Sequence, residues 1–337
     1  MFKGVWNRIK SRLQKKAVIL MYHQVCEKKA DPWQLAVSPE NFQYQLNHLR
    51  NFFEVVSVDE LVATVKTGKL HGNLAAITFD DGFVDNYTNA APLLEWFELP
   101  ATFYLTSGAI TNARMFWWDE LQFIILATES LPKKLEIRIG PEDFRFEFKR
   151  DQVLRPNIAQ EISTWSYGAP LRNERIELYF KLWERIQPLQ HLDQYTIMRM
   201  LRRWSKIENI PLGQNAPMQS YHVKKLGANK LFTLGGHTVN HSMLSAQTEL
   251  VQSYEIKDCK VEIEEISGKP VNGFAYPYGK YNHSTKMLLE KNGFNYGLTT
   301  EEGAVTVNSD LYQLPRVQIK NWNEKEFSFR LKQVINN

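Results

Sequence analysis

The sequence lacks the features that define several large classes of protein. Its 337 residues include only two cysteines, Cys26 and Cys259, which are too few for a disulfide framework and fit no metal-binding spacing. The longest clean apolar run, residues 17–22, is far shorter than the roughly 20 residues of a membrane-spanning helix, and no stretch resembles a secretory signal. The formal net charge is only +4, which does not suggest a nucleic-acid partner. These absences predict a protein of a reducing compartment, and we expect a cytoplasmic location.

The first sixteen residues are far more basic than the chain as a whole. Residues 1–16 contain six basic residues and no acidic one, and apolar residues recur among them at helical spacing. The pattern predicts a basic amphipathic helix, which through Trp6 could contact an anionic membrane surface. The alternative is a helix that packs on the rest of the chain with its charges in solvent.

Short apolar strands alternate with helices in two separated parts of the chain, at about residues 17–110 and 228–335. This alternation predicts an α/β fold with a parallel sheet or barrel. Between the two parts the rhythm is lost, and a hairpin pattern over residues 135–148 precedes helices rich in arginine and aromatic residues. We predict one barrel over residues 17–337, interrupted by a mixed, mainly helical insertion at about residues 111–226.

Two adjacent carboxylates close a predicted strand. Residues 78–82 read Thr-Phe-Asp-Asp-Gly. Because successive side chains of a strand point in opposite directions, Asp80 and Asp81 could serve a substrate and a metal ion separately. The alternative is an aspartate that caps the following helix. In α/β barrels the carboxyl ends of the strands form the active face, so this position favours a functional site.

Two histidines follow another predicted strand. His237 and His241 have the spacing of neighbours on one face of a helical turn, close enough to share a metal ion. The alternative is a coincidental spacing of two unrelated histidines. With one aspartate they would provide three ligands and leave positions open, as a catalytic metal requires. We expect one divalent ion, Zn²⁺ first, with Co²⁺, Ni²⁺, Mn²⁺ and Fe²⁺ also compatible.

Aromatic residues lie near other predicted strand ends. Residues 274–279 read Phe-Ala-Tyr-Pro-Tyr-Gly, which suits either contact with a sugar face or a rigid turn. The candidates for sugar contact in this segment are Tyr276, Pro277 and Tyr278. Trp117 and Trp118 begin the insertion and form either a second stacking platform or a hydrophobic anchor. His23 follows the first strand, where a lone histidine is more often structural.

The three motifs, in this order, resemble those of the carbohydrate esterase family 4 polysaccharide deacetylases, also called the NodB-homology family. Residues 78–82 match its first motif, Thr-Phe-Asp-Asp-Gly, in full, and residues 237–241 match its second, His-(Ser/Thr)-x-x-His. Residues 275–279 match the third, Arg-x-Pro-Tyr-Gly, in all but the arginine. Residues 21–23 and 314–317 are similar to the branch that deacetylates poly-β-1,6-N-acetylglucosamine.

The resemblance implies a distorted (β/α) barrel that binds one divalent metal and hydrolyses the N-acetyl group of an N-acetylated sugar. It implies that Asp80 is the general base and that the backbone N–H of Tyr278 helps to hold the oxyanion. The metal ligands that it implies are Asp81, His237 and His241. The substrate is then a polysaccharide, an oligosaccharide, or a lipid- or nucleotide-linked intermediate.

Two departures from the family pattern concern catalysis. The motif-three arginine is Ala275 here, and Arg316 is the candidate replacement, since its guanidinium could bind the Asp80 carboxylate through two hydrogen bonds. No histidine follows His283, so the family's late general acid is absent, and His23 or a metal-bound water would take that role. Other hypotheses are a deformylase or other deacylase on a lipid-linked sugar, and a catalytically inactive carbohydrate-binding homologue.

Overall fold

The computed structural model describes residues 15–336. The strands are β1 (Ala17–Tyr22), β2 (Gln24–Val25), β3 (Ala36–Val37), β4 (Glu54–Val55), β5 (Leu74–Phe79), β6 (Ala101–Leu105), β7 (Lys134–Ile139), β8 (Glu142–Glu147), β9 (Phe232–Gly236), β10 (Gly273–Ala275), β11 (Tyr296–Leu298) and β12 (Val317–Gln318). The α-helices are α1 (Pro39–Phe52), α2 (Val58–Lys66), α3 (Ala91–Phe97), α4 (Ser107–Asn112), α5 (Trp117–Gln122), α6 (Pro156–Thr164), α7 (Glu174–Ile186), α8 (His191–Ser205), α9 (Ser220–Ala228), α10 (Glu249–Ser267), α11 (His283–Lys291) and α12 (Glu324–Asn336).

The predicted amphipathic helix over residues 1–16 lies outside the described residues, except for positions 15 and 16, which have no regular structure. Among residues 15–336, none of the helices combines the length and the apolar character that crossing a bilayer would require. The cytoplasmic location and the membrane contact therefore stay predictions.

Local sequence sets the ends of the helices. Helix α1 begins after Ser38, whose side chain accepts a hydrogen bond from the Asn41 N–H, and Pro39 occupies its first turn. Helix α10 begins after Thr248, which caps it in the same way, and ends at Gly268 with φ 66. Such caps satisfy the backbone groups that a helix end leaves without partners.

A parallel sheet forms the centre of the molecule. Its strand order is β11-β10-β9-β6-β5-β1-β12, and β4 pairs with β5 outside this path. A bridge between Leu298 and Leu314 joins the β11 edge to the segment that enters β12, so the sheet curves into an incomplete barrel. The predicted α/β barrel class is confirmed.

The sheet strands are buried on both faces, as parallel strands usually are. In β1, Val18 and Leu20 pack in the cluster that the outer helices cover, whereas Ala17 and Ile19 pack in a separate cluster inside the barrel. This alternation explains why the strand reads as a continuous apolar run in the sequence.

Strand register aligns the carboxyl ends of the central strands. Tyr22 is opposite Phe79 in the β1–β5 pair, and Leu105 is opposite Gly236 in the β6–β9 pair. The residue after each strand therefore emerges at one end of the barrel, where His23, Asp80 and His237 follow β1, β5 and β9.

A second apolar core lies between β6 and β9 in sequence. It includes residues of α5, the antiparallel β7–β8 hairpin, and helices α6 to α8. Inside it, the buried Arg175 guanidinium donates hydrogen bonds to five backbone carbonyls, among them those of Ile125, Thr128 and Asp151. We call the segment from Trp117 to Asn215 the insertion.

The predicted bounds of the insertion, about residues 111 and 226, stay predictions. Near the second bound, Val223 and Leu226 on α9 belong to the core that packs against the sheet. Helix α9 thus packs with the barrel directly before β9 begins.

Candidate active site

The two carboxylates follow β5 in a three-residue turn. The Asp80 N–H donates to the Tyr22 carbonyl at 3.0 Å, and the Gly82 N–H donates to the Asp80 carbonyl at 2.9 Å. The turn gives Asp81 a φ of 72 and Gly82 a φ of 89, conformations that few residues other than glycine, aspartate and asparagine adopt readily. As a result, Asp80 and Asp81 contact different partners.

Asp80 forms a buried ion pair with Arg316. Arg316 Nη1 and Nη2 donate to the two carboxylate oxygens, each at 2.7 Å, and Arg316 Nε donates to the Thr299 carbonyl at 2.9 Å. Burial alone raises the pKa of Asp80, but the Arg316 and His237 charges outweigh it and hold the pKa below its ordinary value. Arg316 lies immediately before β12.

Asp81 meets the two histidines in a buried cluster. Its Oδ1 lies 3.3 Å from His237 Nε2 and 3.2 Å from His241 Nε2. The ligand atoms of all three side chains lie within 4.8 Å of one another. Asp81 Oδ1 is buried without a hydrogen bond of good geometry. One carboxylate and two imidazoles that converge in this way fit a divalent metal ion.

A second contact orients His237 for such a role. Its Nδ1 lies 2.7 Å from the Ala275 carbonyl, so that nitrogen carries the proton and donates it. The Nε2 atom then presents its lone pair toward Asp81 and His241.

The prediction that His237 and His241 lie on a helical turn is wrong. The segment after β9 is a loop, with φ 65 at Thr238 and φ 57 at His241. The two rings nevertheless come together, with centroids 4.8 Å apart. The loop is stabilised by contacts to a neighbouring helix in place of helical hydrogen bonds.

Glu255 on α10 provides those contacts, and sequence reasoning missed it. Its carboxylate accepts from the Asn240 N–H at 2.9 Å, from Asn240 Nδ2 at 2.9 Å and from Ser242 Oγ at 2.8 Å. A sequence signal did exist, because Glu255 lies on the buried stripe of α10 with Ile256 and Cys259. A charged residue on an apolar stripe needs buried partners.

The cluster lies on the wall of a cavity of about 460 Å³. Trp118 and Tyr278 line this cavity beside the metal cluster, with ring centroids 4.4 Å and 4.6 Å from that of His241. Tyr278 has φ 58, and a side chain at the next residue, Gly279, would place its Cβ 2.1 Å from Thr300 Oγ1. This close approach requires glycine at the end of the motif.

The other residues named as sugar contacts are largely buried. Tyr276 borders the cavity, but its ring is fully buried and its hydroxyl donates to the Tyr312 carbonyl at 2.9 Å. Pro277 is buried in the turn. Trp117 does not line this cavity, and its ring is perpendicular to that of Trp118, at 86°. Contact of these three residues with a sugar stays a prediction.

His23 faces the same cavity. It is buried, and its Nδ1 has no hydrogen-bond partner among the described residues. Burial lowers its pKa, although Asp81 and Asp80 oppose this effect. The two carboxylates thus favour the protonated imidazole, and burial opposes it.

Two segments of the chain match one known protein family. A family model described as polysaccharide deacetylase matches residues 67–130 and 208–297. The matched residues include both aspartates and both histidines of the site. They leave out residues 131–207, which form most of the insertion.

Curated relatives agree with this match. Poly-beta-1,6-N-acetyl-D-glucosamine N-deacetylase of Staphylococcus aureus is 20% identical over 287 residues, covering 85% of this chain and 68% of that protein. The protein of the same name from Staphylococcus epidermidis is 34% identical over 82 residues, covering 24% of this chain and 28% of that protein. The relatives that are more than 30% identical are matched over less than a third of their own length.

A solved structure has a similar fold. The Streptococcus pyogenes deacetylase PplD, in complex with acetate, superposes with a TM-score of 0.59 at 19% identity, covering 96% of this chain and 99% of that one. At this identity the likeness concerns the fold alone.

Proposed function

Because the chain belongs to the polysaccharide deacetylase family, we propose that it hydrolyses the N-acetyl group of an N-acetylated saccharide, releasing acetate and an amino sugar. One observation supports this most strongly. The buried Asp80 carboxylate, paired with Arg316, lies beside the cluster of Asp81, His237 and His241 on the wall of a cavity. A base next to a metal site is the arrangement that metal-assisted hydrolysis needs.

Asp81, His237 and His241 would hold the metal, and their ligand atoms suit Zn²⁺. Co²⁺, Ni²⁺, Mn²⁺ and Fe²⁺ accept the same ligand types. When bound, the ion supplies Lewis-acid chemistry that polarises the acetyl carbonyl.

In this mechanism Asp80 takes the proton from the attacking water. Each carboxylate oxygen can accept two hydrogen bonds, and Arg316 uses one on each, so lone pairs remain for water. Arg316 keeps the carboxylate ionised and fixes its orientation, which is the role that the missing motif-three arginine would have.

The remaining steps fall to two groups on the cavity wall. The backbone N–H of Tyr278, in the tight turn after β10, is the proposed donor to the oxyanion. His23 is the proposed donor of a proton to the leaving amine, since it faces the cavity and its Nδ1 lacks a partner.

Acetate release would test this function. The protein, loaded with Zn²⁺ or Co²⁺, is given N-acetylglucosamine oligomers and nucleotide- and lipid-linked N-acetyl sugars. We expect Asp80→Asn to lower kcat by about 10³-fold or more while elemental analysis finds the same metal content. Asp143→Asn, on the exposed end of the hairpin, is the matched control and should keep the wild-type rate.

Three other outcomes would redirect the proposal. An Asp80→Asn variant with the wild-type rate would show that Asp80 is not the base. Formate from a formylated sugar, with no acetate from any substrate, would identify a deformylase. Metal binding without release of any acyl group would favour an inactive carbohydrate-binding homologue.

A further inference from the structure

Three aromatic rings on the cavity wall have no role in the proposed mechanism. Trp33, from the loop between β2 and β3, stacks on Tyr167 with centroids 4.8 Å apart and on Trp183 with centroids 4.2 Å apart. The latter two residues belong to the insertion, and all three line the cavity that contains Asp80 and Asp81. We call Trp33, Tyr167 and Trp183 the aromatic wall.

The aromatic wall is fixed in place before any ligand arrives. Trp33 Nε1 donates to the Tyr179 hydroxyl at 2.8 Å, which sets the orientation of the indole ring. The Tyr167 N–H donates to the Pro32 carbonyl at 2.7 Å, which joins the loop to the insertion. Rings held in this way lose little conformational entropy when a ligand stacks on them.

The aromatic wall also stays accessible. Tyr167 is 60% exposed, whereas the apolar side chains of the insertion core are almost fully buried. Rings that serve only to anchor the insertion would be covered like that core. Trp33 and Trp183 are half-buried, so they support the exposed ring of Tyr167. An exposed aromatic face beside a hydrolytic centre suits the apolar face of a pyranose ring.

The charges around the cavity are unbalanced. Lys280 and Lys320 line it, and among residues 15–336 neither lies within ion-pair distance of a carboxylate. The carboxylates that line the cavity are Asp80 and Asp81, and Arg316 already neutralises the first. Two lysines without acidic partners attract a negative charge that the protein does not supply.

We propose that the cavity binds a negatively charged N-acetylated saccharide. This inference rests on the proposed function and names its substrate class. The aromatic wall stacks on the sugar unit next to the acetylated one, where the substrate has such a unit. Lys280 and Lys320 bind the substrate's anionic group, a carboxylate or a phosphate. A cavity of about 460 Å³ is of the size that ligand pockets usually have.

The test compares kcat/KM for acetate release from three substrates: a neutral N-acetylglucosamine trisaccharide, an oligosaccharide of glucuronate and N-acetylglucosamine, and UDP-N-acetylglucosamine. We expect at least one anionic substrate to exceed the neutral one by about tenfold, the size of one charge-assisted contact. The second substrate carries a carboxylate and the third a diphosphate, so the comparison identifies the group. Equal values for all three would overturn the proposal.

Variants assign this preference to residues. In the double variant Lys280→Met, Lys320→Met, the anionic-to-neutral ratio should fall to about one. Lys257→Met, on an exposed face of α10, is the matched control and should leave the ratio unchanged. A ratio that survives the double variant would place the anion elsewhere and overturn the assignment.

Trp33→Ala should raise KM for the two oligosaccharides by about tenfold, because the aromatic wall that stacks on the neighbouring sugar loses its central ring, whereas kcat changes little. Trp33→Phe should recover most of the loss. A change in kcat alone would mean that the ring supports the catalytic centre instead.

Equilibrium binding separates this proposal from the proposed function. Tryptophan fluorescence of the Asp80→Asn protein reports binding without turnover. Tighter binding of an anionic saccharide that disappears in the double lysine variant would support the anion site even if no substrate releases acetate. Absence of binding, or equal binding of neutral and anionic saccharides, would overturn it.

Discussion

Arg316 and Asp80 are 0% and 2% exposed, and this burial determines what a substitution at either residue does. A buried ion pair contributes little net stability, because removing two charges from water costs about as much as their attraction returns. Removing one partner is different, since the other charge stays buried without compensation. Function and stability are therefore coupled at this pair.

We predict that Arg316→Met lowers the free energy of unfolding by about 3–5 kcal/mol and abolishes turnover. The double variant Asp80→Asn, Arg316→Met should recover most of that stability and none of the activity. Urea unfolding of the three proteins measures this. A double variant as unstable as the single one would show that packing, not charge, is responsible.

His23 offers a second test at the residue scale. We predict that His23→Ala lowers kcat by about 10²–10⁴-fold with little change in KM, because a proton donor acts in the transition state. His71→Ala removes an exposed histidine and is the matched control. A change in KM alone would show that His23 binds the substrate without protonating it.

At the scale of elements, the loop after β9 depends on α10. The loop between His237 and Ser242 contains backbone conformations that its own sequence disfavours, including φ 65 at the β-branched Thr238. Glu255 offsets this strain through its three hydrogen bonds to Asn240 and Ser242. Strained loops of this kind persist where surrounding structure determines them.

We predict that Glu255→Ala weakens Zn²⁺ binding by about 10–100-fold, because the histidines lose their fixed separation. Glu265→Ala, on the exposed face of the same helix, should leave the affinity unchanged. Competition with a chelator measures the affinity, and circular dichroism checks that the helix remains. Unchanged affinity in Glu255→Ala would mean that the loop holds its shape without α10.

The strands could be predicted from the sequence, whereas the conformation of this loop could not. The apolar runs that became β1 and β5 were predictable, because burial on both faces leaves a continuous signal. The spacing of His237 and His241 fits a helical turn equally well, and only the contacts of Glu255 exclude it. Periodicity reports local structure, whereas a loop held by a distant helix leaves no local pattern.

At the scale of the whole molecule, the site combines residues that are far apart in sequence. Asp80 and Arg316 are separated by 236 positions. The family resemblance predicted their meeting, since Arg316 was the candidate replacement for the missing motif-three arginine. Nothing comparable predicted the aromatic wall, because the approach of Trp33 to Tyr167 and Trp183 depends on how the insertion packs.

The contact between insertion and barrel should make stability depend on pH. Asp119 on α5 is buried, with its Oδ1 3.8 Å from Lys28 Nζ, and burial raises its pKa to about 7. The unfolded chain has the ordinary pKa of 3.8, so the folded protein binds more protons between these values. The stability from this group is therefore present at low pH and is lost as the pH rises through about 7.

We predict that Asp119→Asn, which stays neutral, gains stability over the wild type from pH 5 to pH 8. As the pH rises from 5 to the folded pKa of about 7, the stability difference should grow by on the order of 1.4 kcal/mol for each pH unit. Urea unfolding at the two pH values measures it, with the exposed Asp143→Asn as control. A constant difference between variant and wild type would show that Lys28 keeps Asp119 ionised.

The position of β1 between β5 and β12 has a consequence for synthesis on the ribosome. Leu20 pairs with Ile77 on one side and with Val317 on the other, so the first partner is available early and the second almost 300 residues later. Until then one edge of a wholly apolar strand is open to pairing with other chains. The nascent protein therefore passes through a long interval in which this edge is exposed to aggregation, and Asp80 gains its guanidinium partner only when that interval ends.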